Sequence, residues 1–437
     1  MSSKIIINVW LNHWFLWPEL LDPVRRRAEE FGAAHPEYAI DIRPVDVRTT
    51  PREIAQAVER GAAPHVVAYH HPFTQEAHDA RSKDGGPLFV PLEEAIGGRE
   101  EILGEPVVID DIVATVRNYY SLGGRLLSMP RNTSTILFYA NMTLLEAAGV
   151  REVPRTWEEV EDACRAVAGL RDGPSHGITW ANYGWFFQQA VAQQGGLLAD
   201  HDNGRSGRAE KVDLTSPEMM AYVTWWHRLH RDGHYLYTGK KMDWQGTFDA
   251  FAAQRTAFLL NSSVETGPIL RAAREAGFRV AVGRAPHNGR VPCAGNLIGG
   301  ESLWLASGLD EATRDGALAF LQYLSGPRHP ADMYELDRTF VPTTRTAVDR
   351  QAREGWFDRN PHFRVGVDQL DATKDSPATR GALFGDFSAI QEVTATAMHD
   401  VLLSGTDPAD RFTRASAEAQ RLLEEYNASL SSGNRSR

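Results

Sequence analysis

Short apolar runs alternate with helix-length amphipathic segments along the first seventy residues of the chain. Apolar runs at 5–10, 39–45 and 66–69 predict three buried strands. Between them, the spacing of apolar positions predicts helices over 18–31 and 52–60. This strand–helix–strand–helix–strand order predicts a parallel sheet covered by helices. In such a sheet, ligands bind beyond the carboxyl ends of the strands.

Aromatic and polar side chains follow two of these predicted strands. Asn12 and Trp14 come directly after the first strand, and His70 ends the third. An aromatic ring packs against the C–H-rich face of a sugar, while polar groups at its edge hydrogen-bond to hydroxyls. We therefore expect Asn12, Trp14 and His70 to contact a ligand. For a single tryptophan, packing in the core is the alternative.

The same patterns continue through the rest of the chain, without an internal repeat or a long low-complexity linker. Thr156 and Glu159 have the spacing of a capping box, which predicts a helix that continues to about residue 168. Polar stretches at 131–134 and 200–207 predict a turn and a loop. The other predicted strands are 125–130, 136–139, 257–260 and 277–282, and the predicted C-terminal helical segments are 380–403 and 408–426. Any two lobes must therefore be joined by several crossovers of the chain.

Composition places the chain among ordinary soluble globular proteins with two or three domains or lobes. It has 437 residues, of which 42% are hydrophobic and 24% charged. The formal net charge of −11 argues against a nucleic-acid partner, because such a partner requires a basic face. No apolar run reaches the ~18 residues of a membrane span. Cys164 and Cys293 fit no zinc spacing, and we expect two buried free thiols, with one disulfide as the alternative.

The sequence contains no familiar motif of catalysis, cofactor binding or metal binding. A P-loop, a dinucleotide fingerprint, a nucleophile elbow and an HExxH motif are all absent. His70 and His71 are adjacent, so on a strand they point in opposite directions and do not face one ion together. Residues 200–203 lack the glycine and the glutamate of a calcium loop. We therefore expect no catalytic residue, no metal and no cofactor.

A glycine-rich turn leads into an apolar strand within residues 295–308. Glycine lets backbone N–H groups approach a ligand closely because it has no Cβ. We therefore expect Gly299 and Gly300 to contact the ligand. Glu301 follows them, and we expect a carboxylate at the rim of the site that accepts hydrogen bonds from hydroxyls. In an enzyme the same carboxylate would be an acid or a base.

Five segments, taken together in their order and spacing, resemble the extracellular solute-binding proteins of ABC importers, in the family that binds sugars and sn-glycerol phosphate. The resemblance spans nearly the whole chain. It implies an α/β, two-lobed periplasmic-binding-protein-like fold (class II) with a hinged cleft between the lobes. The segments are 10–38, 63–67 (Ala-Pro-His-Val-Val), 130–159 (with Pro-Arg-Thr-Trp-Glu-Glu at its end), 295–308 and 379–381 (Thr-Arg-Gly).

The resemblance also implies how the chain divides between the lobes. We expect residues 1–119 and 261–324 in the N-terminal lobe. Residues 125–257 and 330–437 are expected in the C-terminal lobe, with the crossovers between these segments.

Carried over position by position, the resemblance implies further ligand contacts. Arg380 matches an arginine that binds the ligand phosphate in the glycerol-phosphate members, and an ion pair with a surface carboxylate is its alternative. The sequence departs from the family at His70, near a family tyrosine, and at Phe340, which replaces one. The other implied contacts are the polar turn with Asn132 and Ser134, the aromatic rings of Tyr183 and Trp185, the hydroxyl of Ser263, and the N–H groups of Gly299 and Gly300.

The expected function is capture of a carbohydrate or polyol phosphate by lobe closure and delivery to the membrane subunits of an ABC transporter, by a protein that is a monomer. The alternative is a cytoplasmic enzyme that uses the same fold on a small polar or sugar-like substrate. The apolar stretch at 5–10 is short and lacks a small-residue cleavage site, so it is not a signal peptide. We expect a periplasmic or membrane-tethered protein whose signal is not in this chain, with a cytoplasmic protein as the alternative.

Overall fold

A computed structural model describes residues 4–13, 18–326 and 339–433 of the chain. The strands are β1 Ile5–His13, β2 Tyr38–Asp46, β3 Val66–His70, β4 Phe89–Val90, β5 Glu101–Ile102, β6 Glu105–Pro106, β7 Ser121–Leu122, β8 Arg125–Leu126, β9 Met129–Ser134, β10 Ile136–Asn141, β11 His176–Thr179, β12 Thr256–Ser262, β13 Val280–Arg284 and β14 Gly299–Ala306.

Helices follow or precede most of these strands. They are α1 Asp22–Ala34, α2 Thr50–Glu59, α3 Thr74–Asp79, α4 Leu92–Ile96, α5 Ala114–Tyr119, α6 Met142–Ala147, α7 Trp157–Ala168, α8 Gly184–Gln193, α9 Asp200–Gly204, α10 Pro217–Arg231, α11 Trp244–Ala252, α12 Thr266–Glu275, α13 Glu311–Ser325, α14 Arg345–Arg353, α15 Trp356–Arg359, α16 Pro361–Asp371, α17 Phe387–Ser404 and α18 Pro408–Gly433. None of the helices in the described residues is both long and apolar enough to cross a membrane.

The first sheet has the strand order β2-β1-β3-β14-β4, and β9 also pairs with β14. Strand β1 runs parallel to both β2 and β3, which confirms the strand–helix–strand–helix–strand prediction. Ile7, Val9 and Val66 are fully buried because α1 and other helices cover the sheet. We call this sheet and the elements packed on its core the first lobe.

The second sheet has the strand order β11-β12-β10-β13. Its core is rich in tryptophan: the rings of Trp157 and Trp225 stack with centroids 5.0 Å apart, and Trp180 lies 5.6 Å from Trp225. Helix α7 begins at the predicted capping box, in which Thr156 and Glu159 bond reciprocally. We call this sheet and the elements packed on its core the second lobe.

The chain passes directly from the first sheet to the second. Strand β9 belongs to the first sheet and β10 to the second, with only Thr135 between them. Thr135 Oγ1 donates to Leu297 O (2.9 Å) and accepts from Gln369 Nε2 (2.8 Å). Because Leu297 lies on the chain's return from β13 to β14, one buried hydroxyl joins two crossovers.

Strand pairing differs from the predicted division of the chain in two places. Strand β9 was expected in the C-terminal lobe with the rest of 125–257, yet it pairs with β14 in the first sheet. Strand β13 was expected in the N-terminal lobe with 261–324, yet it pairs with β10 in the second sheet. Partners distant in the sequence determine the sheet to which a short strand belongs, and local pattern does not contain that information. The complete lobe boundaries stay a prediction.

Two local expectations also need correction. The polar stretch 131–134 is not a turn, because it forms most of β9 and pairs with Gly299 to Glu301. The predicted helix 380–403 begins only at Phe387. Cys164 and Cys293 are both free, the first buried and the second half-buried.

Candidate functional site

A buried network of polar side chains surrounds Glu301 on β14. Asn12 Nδ2 donates to Glu301 Oε2 (2.6 Å), and Asn132 Nδ2 donates to Oε1 (3.2 Å). The Arg131 guanidinium forms an ion pair with the same Oε1. Glu301 N donates to Asn132 Oδ1 (3.0 Å), and Thr50 Oγ1 donates to Asn12 Oδ1 (2.9 Å). The structure therefore brings together three predicted site residues: Asn12, Asn132 and Glu301.

The location of Glu301 corrects its expected place at the rim. Its side chain is 0% exposed, and protein donors bind both of its carboxylate oxygens. Arg131, which the sequence did not single out, is buried beside it, and burial lowers the pKa of this guanidinium to about 10. This buried carboxylate, bound by Asn12 of β1 and by Arg131 and Asn132 of β9, links β1, β9 and β14 at the carboxyl end of β1. Direct ligand contact by these residues stays a prediction.

Close approach between backbone and side chains explains the glycines before Glu301. A Cβ on Gly299 would lie 2.8 Å from Ser134 Oγ and 2.8 Å from the Trp185 ring. Gly300 has φ +115°, and a Cβ there would lie 2.2 Å from Asn132 O. Glycine is therefore required at both positions for packing. This packing brings Ser134 and Trp185 together around Gly299.

Trp185 lies where the two lobes meet. It is the second residue of α8 in the second lobe, and its side chain is 4% exposed. Its ring packs on Gly299 and lies 6.0 Å from the ring of His71, both of which belong to the first lobe. Among the described residues its indole Nε1 has no hydrogen-bond partner. The site therefore contains an aromatic ring with an unused donor between the lobes.

Gln188 is a residue that the sequence did not reveal. It lies one turn after Trp185 on α8 and is 4% exposed. Both amide atoms are buried without a partner in the described part of the chain. A Cβ on Gly381 would lie 3.3 Å from Gln188 Nε2 and 2.6 Å from the Tyr119 ring. A buried amide with both polar atoms unused is costly, and a bound ligand or water would relieve that cost.

His70 and His71 line this region as neutral groups. Their rings lie 4.6 Å apart, and His71 Nδ1 is 3.2 Å from Tyr119 Oη. Burial lowers the pKa of His70 to about 3. Burial, with a smaller contribution from His70, holds the pKa of His71 well below its usual range. At neutral pH the pair therefore offers hydrogen bonds without charge.

Tyr183 and Ser263 lie at the edges of this arrangement. Tyr183 is half-buried before α8, and its ring lies 5.7 Å from Trp244. Ser263 Oγ accepts from Thr135 N (3.2 Å), so this hydroxyl lies at the crossover between the sheets. Ser263 and Phe340 also line a concavity with Gln351, whose amide atoms have no partner among the described residues. Trp14 lies outside the described residues.

Arg380 is engaged by a neighbouring carboxylate. Its Nε donates to Asp375 Oδ1 (2.7 Å) and its Nη2 to Asp375 Oδ2 (2.6 Å), while the Arg380 side chain is 44% exposed. This is the surface ion pair that the sequence left as the alternative to phosphate binding. A ligand phosphate would have to displace Asp375 from the Nε–Nη2 edge of the guanidinium or bind at its other edge, formed by Nη1 and Nη2.

Comparison with known proteins identifies relatives over almost the entire chain. The sn-glycerol-3-phosphate-binding periplasmic protein UgpB of Salmonella typhimurium is 25% identical over 421 residues, which cover 93% of this chain and 91% of that protein. The sugar-binding protein MalE of Xanthomonas citri has a similar fold, with a TM-score of 0.77, 16% identity, and coverage of 98% and 99% of the two chains. UgpB of Mycobacterium tuberculosis in complex with glycerophosphocholine gives a TM-score of 0.72, 20% identity, and coverage of 97% and 99%.

These structural matches confirm the predicted two-lobed periplasmic-binding-protein-like fold. The family model of bacterial extracellular solute-binding proteins matches residues 26–365, which is most of the chain and includes the second sheet and every strand of the first sheet except β1. The chain therefore belongs to the family of bacterial extracellular solute-binding proteins.

Proposed function

We propose that this protein captures a carbohydrate or a polyol phosphate between its two lobes and passes it to the membrane subunits of an ABC importer. The observation that carries the proposal is the position of Trp185. Its ring lies between α8 of the second lobe and Gly299 and His71 of the first. A ligand that contacts both lobes there stabilises the closed arrangement, because both sets of contacts exist only when the lobes meet.

The groups around Trp185 favour a ligand rich in hydroxyls. Ser134, the Gln188 amide and the neutral imidazole of His71 supply donors and acceptors without charge. Aromatic rings with a few polar groups are typical of sugar sites. Relatives support the same class: one is named for sn-glycerol 3-phosphate, one was solved with glycerophosphocholine, and MalE is described as sugar-binding.

Arg380 is the residue that distinguishes a phosphorylated ligand from a neutral one. Arginine binds phosphate through two parallel charge-assisted hydrogen bonds, and Asp375 now occupies that face of the guanidinium. If the ligand is phosphorylated, Arg380→Ala should weaken binding by several kcal/mol, which is the energy of roughly two or three hydrogen bonds between charged groups. Arg380→Lys should not restore the wild-type affinity. For a neutral sugar the loss should be smaller and nearly independent of salt.

The first experiment is a thermal-shift screen of the wild-type protein against sugars, polyols and their phosphates. A ligand that binds only the native state raises the melting temperature. Competition binding of the best solute against its phosphorylated form, measured on wild type and on Arg380→Ala, then tests whether Arg380 recognises a phosphate. Arg364→Ala is the matched control, because Arg364 also pairs with a surface carboxylate, Asp368. Failure of every sugar, polyol and phosphate to shift the melting temperature would contradict the proposal.

The surroundings of Glu301, the candidate acid or base, do not support the alternative that this protein is an enzyme. Glu301 is fully buried, and both of its oxygens are bound by Asn12, Asn132 and Arg131. Since the family is extracellular, we propose a periplasmic or membrane-tethered location. We propose that the protein acts as a monomer.

A further inference from the structure

The loop between Asp200 and Arg208 begins with the short element α9, whose backbone is left-handed and does not have the angles of an ordinary α-helix. His201, Asp202 and Asn203 have φ values of +49°, +56° and +62°, and Gly204 follows with +80°. His, Asp and Asn are the non-glycine residues that enter the left-handed region most readily, but they do so as single residues, so three in succession need support from their surroundings. The loop therefore holds a strained conformation that needs an explanation.

Hydrogen bonds within the second lobe fix this loop. Asn203 Oδ1 accepts from Leu198 N (2.7 Å) and Ala199 N (3.1 Å), and Leu383 N donates to Asn203 O (2.8 Å). A Cβ on Gly204 would lie 1.9 Å from Leu383 O. These contacts anchor the turn, so that the two arginines that follow it project toward the first lobe.

Arg205 bridges the lobes through backbone carbonyls. Its Nη1 donates to Asn118 O and Ser121 O (both 3.2 Å), and its Nη2 donates to Tyr119 O (3.1 Å). The carbonyls of Asn118 and Tyr119 lie at the C-terminal end of α5 in the first lobe, where the helix dipole favours a cation, and Ser121 follows in β7. Its Nε donates to Gly381 O (2.7 Å) in the segment that carries Arg380. Every nitrogen of this guanidinium is thus engaged, toward both lobes.

Arg208 bridges the lobes through a carboxylate. Its Nη2 and Nη1 donate to Asp79 Oδ1 (2.7 Å) and Oδ2 (3.0 Å), and Asp79 is 4% exposed. Asp79 ends α3 of the first lobe, while Arg208 adjoins Ala209 in the core of the second. Tyr426 Oη, from α18 of the second lobe, donates to the same Asp79 Oδ2 (2.9 Å). A bidentate pair on a buried carboxylate is stronger than an exposed ion pair.

We propose that the loop 200–208 is an interlobe latch, which stabilises the closed arrangement of the lobes through Arg205 and Arg208 without touching the ligand. The left-handed turn orients the side chains of Arg205 and Arg208 toward the first lobe. The latch shifts the balance between open and closed states, so it adjusts affinity for any solute. Its purpose rests on the proposed function, but its existence does not depend on which solute is bound.

Small-angle scattering of the ligand-free protein tests the latch. Arg208→Ala and Asp79→Asn should each increase the radius of gyration, because removal of either partner releases the same contact. The double variant should match the larger single effect, since coupled residues are not additive. Arg205→Lys keeps the charge but loses the planar fork that reaches several carbonyls, and it should also open the protein.

Arg228→Ala is the control. Arg228 pairs with Glu161 inside the second lobe, so its loss should lower the melting temperature without a change in the radius of gyration. If the latch variants fold, by circular dichroism, and keep the wild-type radius, the contacts of Arg205 and Arg208 do not control lobe closure and the proposal is wrong. Because no ligand is added, this result is independent of the thermal-shift screen that tests the proposed function.

Discussion

Among single residues, the tryptophans separate into rings of the second-lobe core and one ring between the lobes. Trp157, Trp225 and Trp226 are all buried in the core of the second lobe. Trp185 is equally buried, yet it touches Gly299 of the other lobe. Burial alone therefore does not separate a core ring from an interlobe ring. The contact with a residue distant in the sequence separates the two kinds of ring, and the sequence alone does not reveal such a contact.

Replacement of Trp185 tests its role as a ligand anchor. Trp185→Ala should weaken binding of the best solute from the screen by about 1–3 kcal/mol, because a desolvated aromatic ring carries much of the energy of such a site. Trp185→Phe, which keeps an aromatic face, should lose less. Calorimetry on both variants measures the effect. An unchanged affinity for Trp185→Ala would assign the ring to packing.

Glu76 should make stability depend on pH. Its carboxyl lies at the junction of α3 with the start of α17, and burial, with Asp386 and Asp79 nearby, raises its pKa to about 8 from an ordinary 4.5. Between these values the folded protein holds a proton that the unfolded chain has lost. The contribution of Glu76 to the free energy of unfolding is therefore complete below pH 4.5 and is lost as pH rises through 8.

Glu76→Gln removes this titration while it keeps the shape. From pH 5 to 8 the melting temperature of wild type should fall relative to that of Glu76→Gln. Glu94→Gln is the control, since Glu94 is an exposed partner of Arg125 and its difference from wild type should stay nearly constant. Parallel melting profiles of wild type and Glu76→Gln would show that the carboxyl titrates normally.

Among helices and strands, the sequence predicted correctly those elements whose formation depends on neighbouring residues. The capping box placed the start of α7 correctly, and the apolar runs placed β1, β2 and β3. The stretch 131–134 misled, because its polar side chains suggest a turn whereas Asn132 and Arg131 are satisfied by Glu301. The polar stretch 200–207 predicted a loop but not three successive left-handed residues. His, Asp and Asn tolerate that region singly, and tertiary contacts hold the three in succession.

Replacement of Thr135 tests the crossover between the sheets, because Thr135 is the single residue between β9 and β10. Thr135→Val removes the hydroxyl, so Gln369 Nε2 loses one acceptor and Leu297 O loses its donor. We expect a loss of about 1–3 kcal/mol in the free energy of unfolding, as for a buried polar group left unpaired. Thr135→Ser keeps the hydroxyl and should lose less. Equal chemical denaturation curves for Thr135→Val and wild type would show that this bond does not stabilise the crossover.

At the scale of the whole molecule, the family resemblance identified the fold, but strand pairing divided the chain differently. β9 and β13 each lie in the sheet opposite to the one expected, because β14 and β10 are their partners. The predicted ligand contacts were also derived one residue at a time, and their contact with a ligand stays a prediction. In the structure Ser134 and Trp185 lie against Gly299, and Glu301 is buried. Gln188 became a candidate only because the structure shows its amide buried without a partner in the described residues.

We expect a solute to close the two lobes around itself. This closure is measured by solution scattering of the wild-type protein, with and without the solute that gives the largest thermal shift. A ligand that contacts both lobes shifts the population toward the closed state, so the radius of gyration should decrease at saturation. An unchanged radius, under conditions where calorimetry shows full occupancy, would contradict closure as the mechanism of capture.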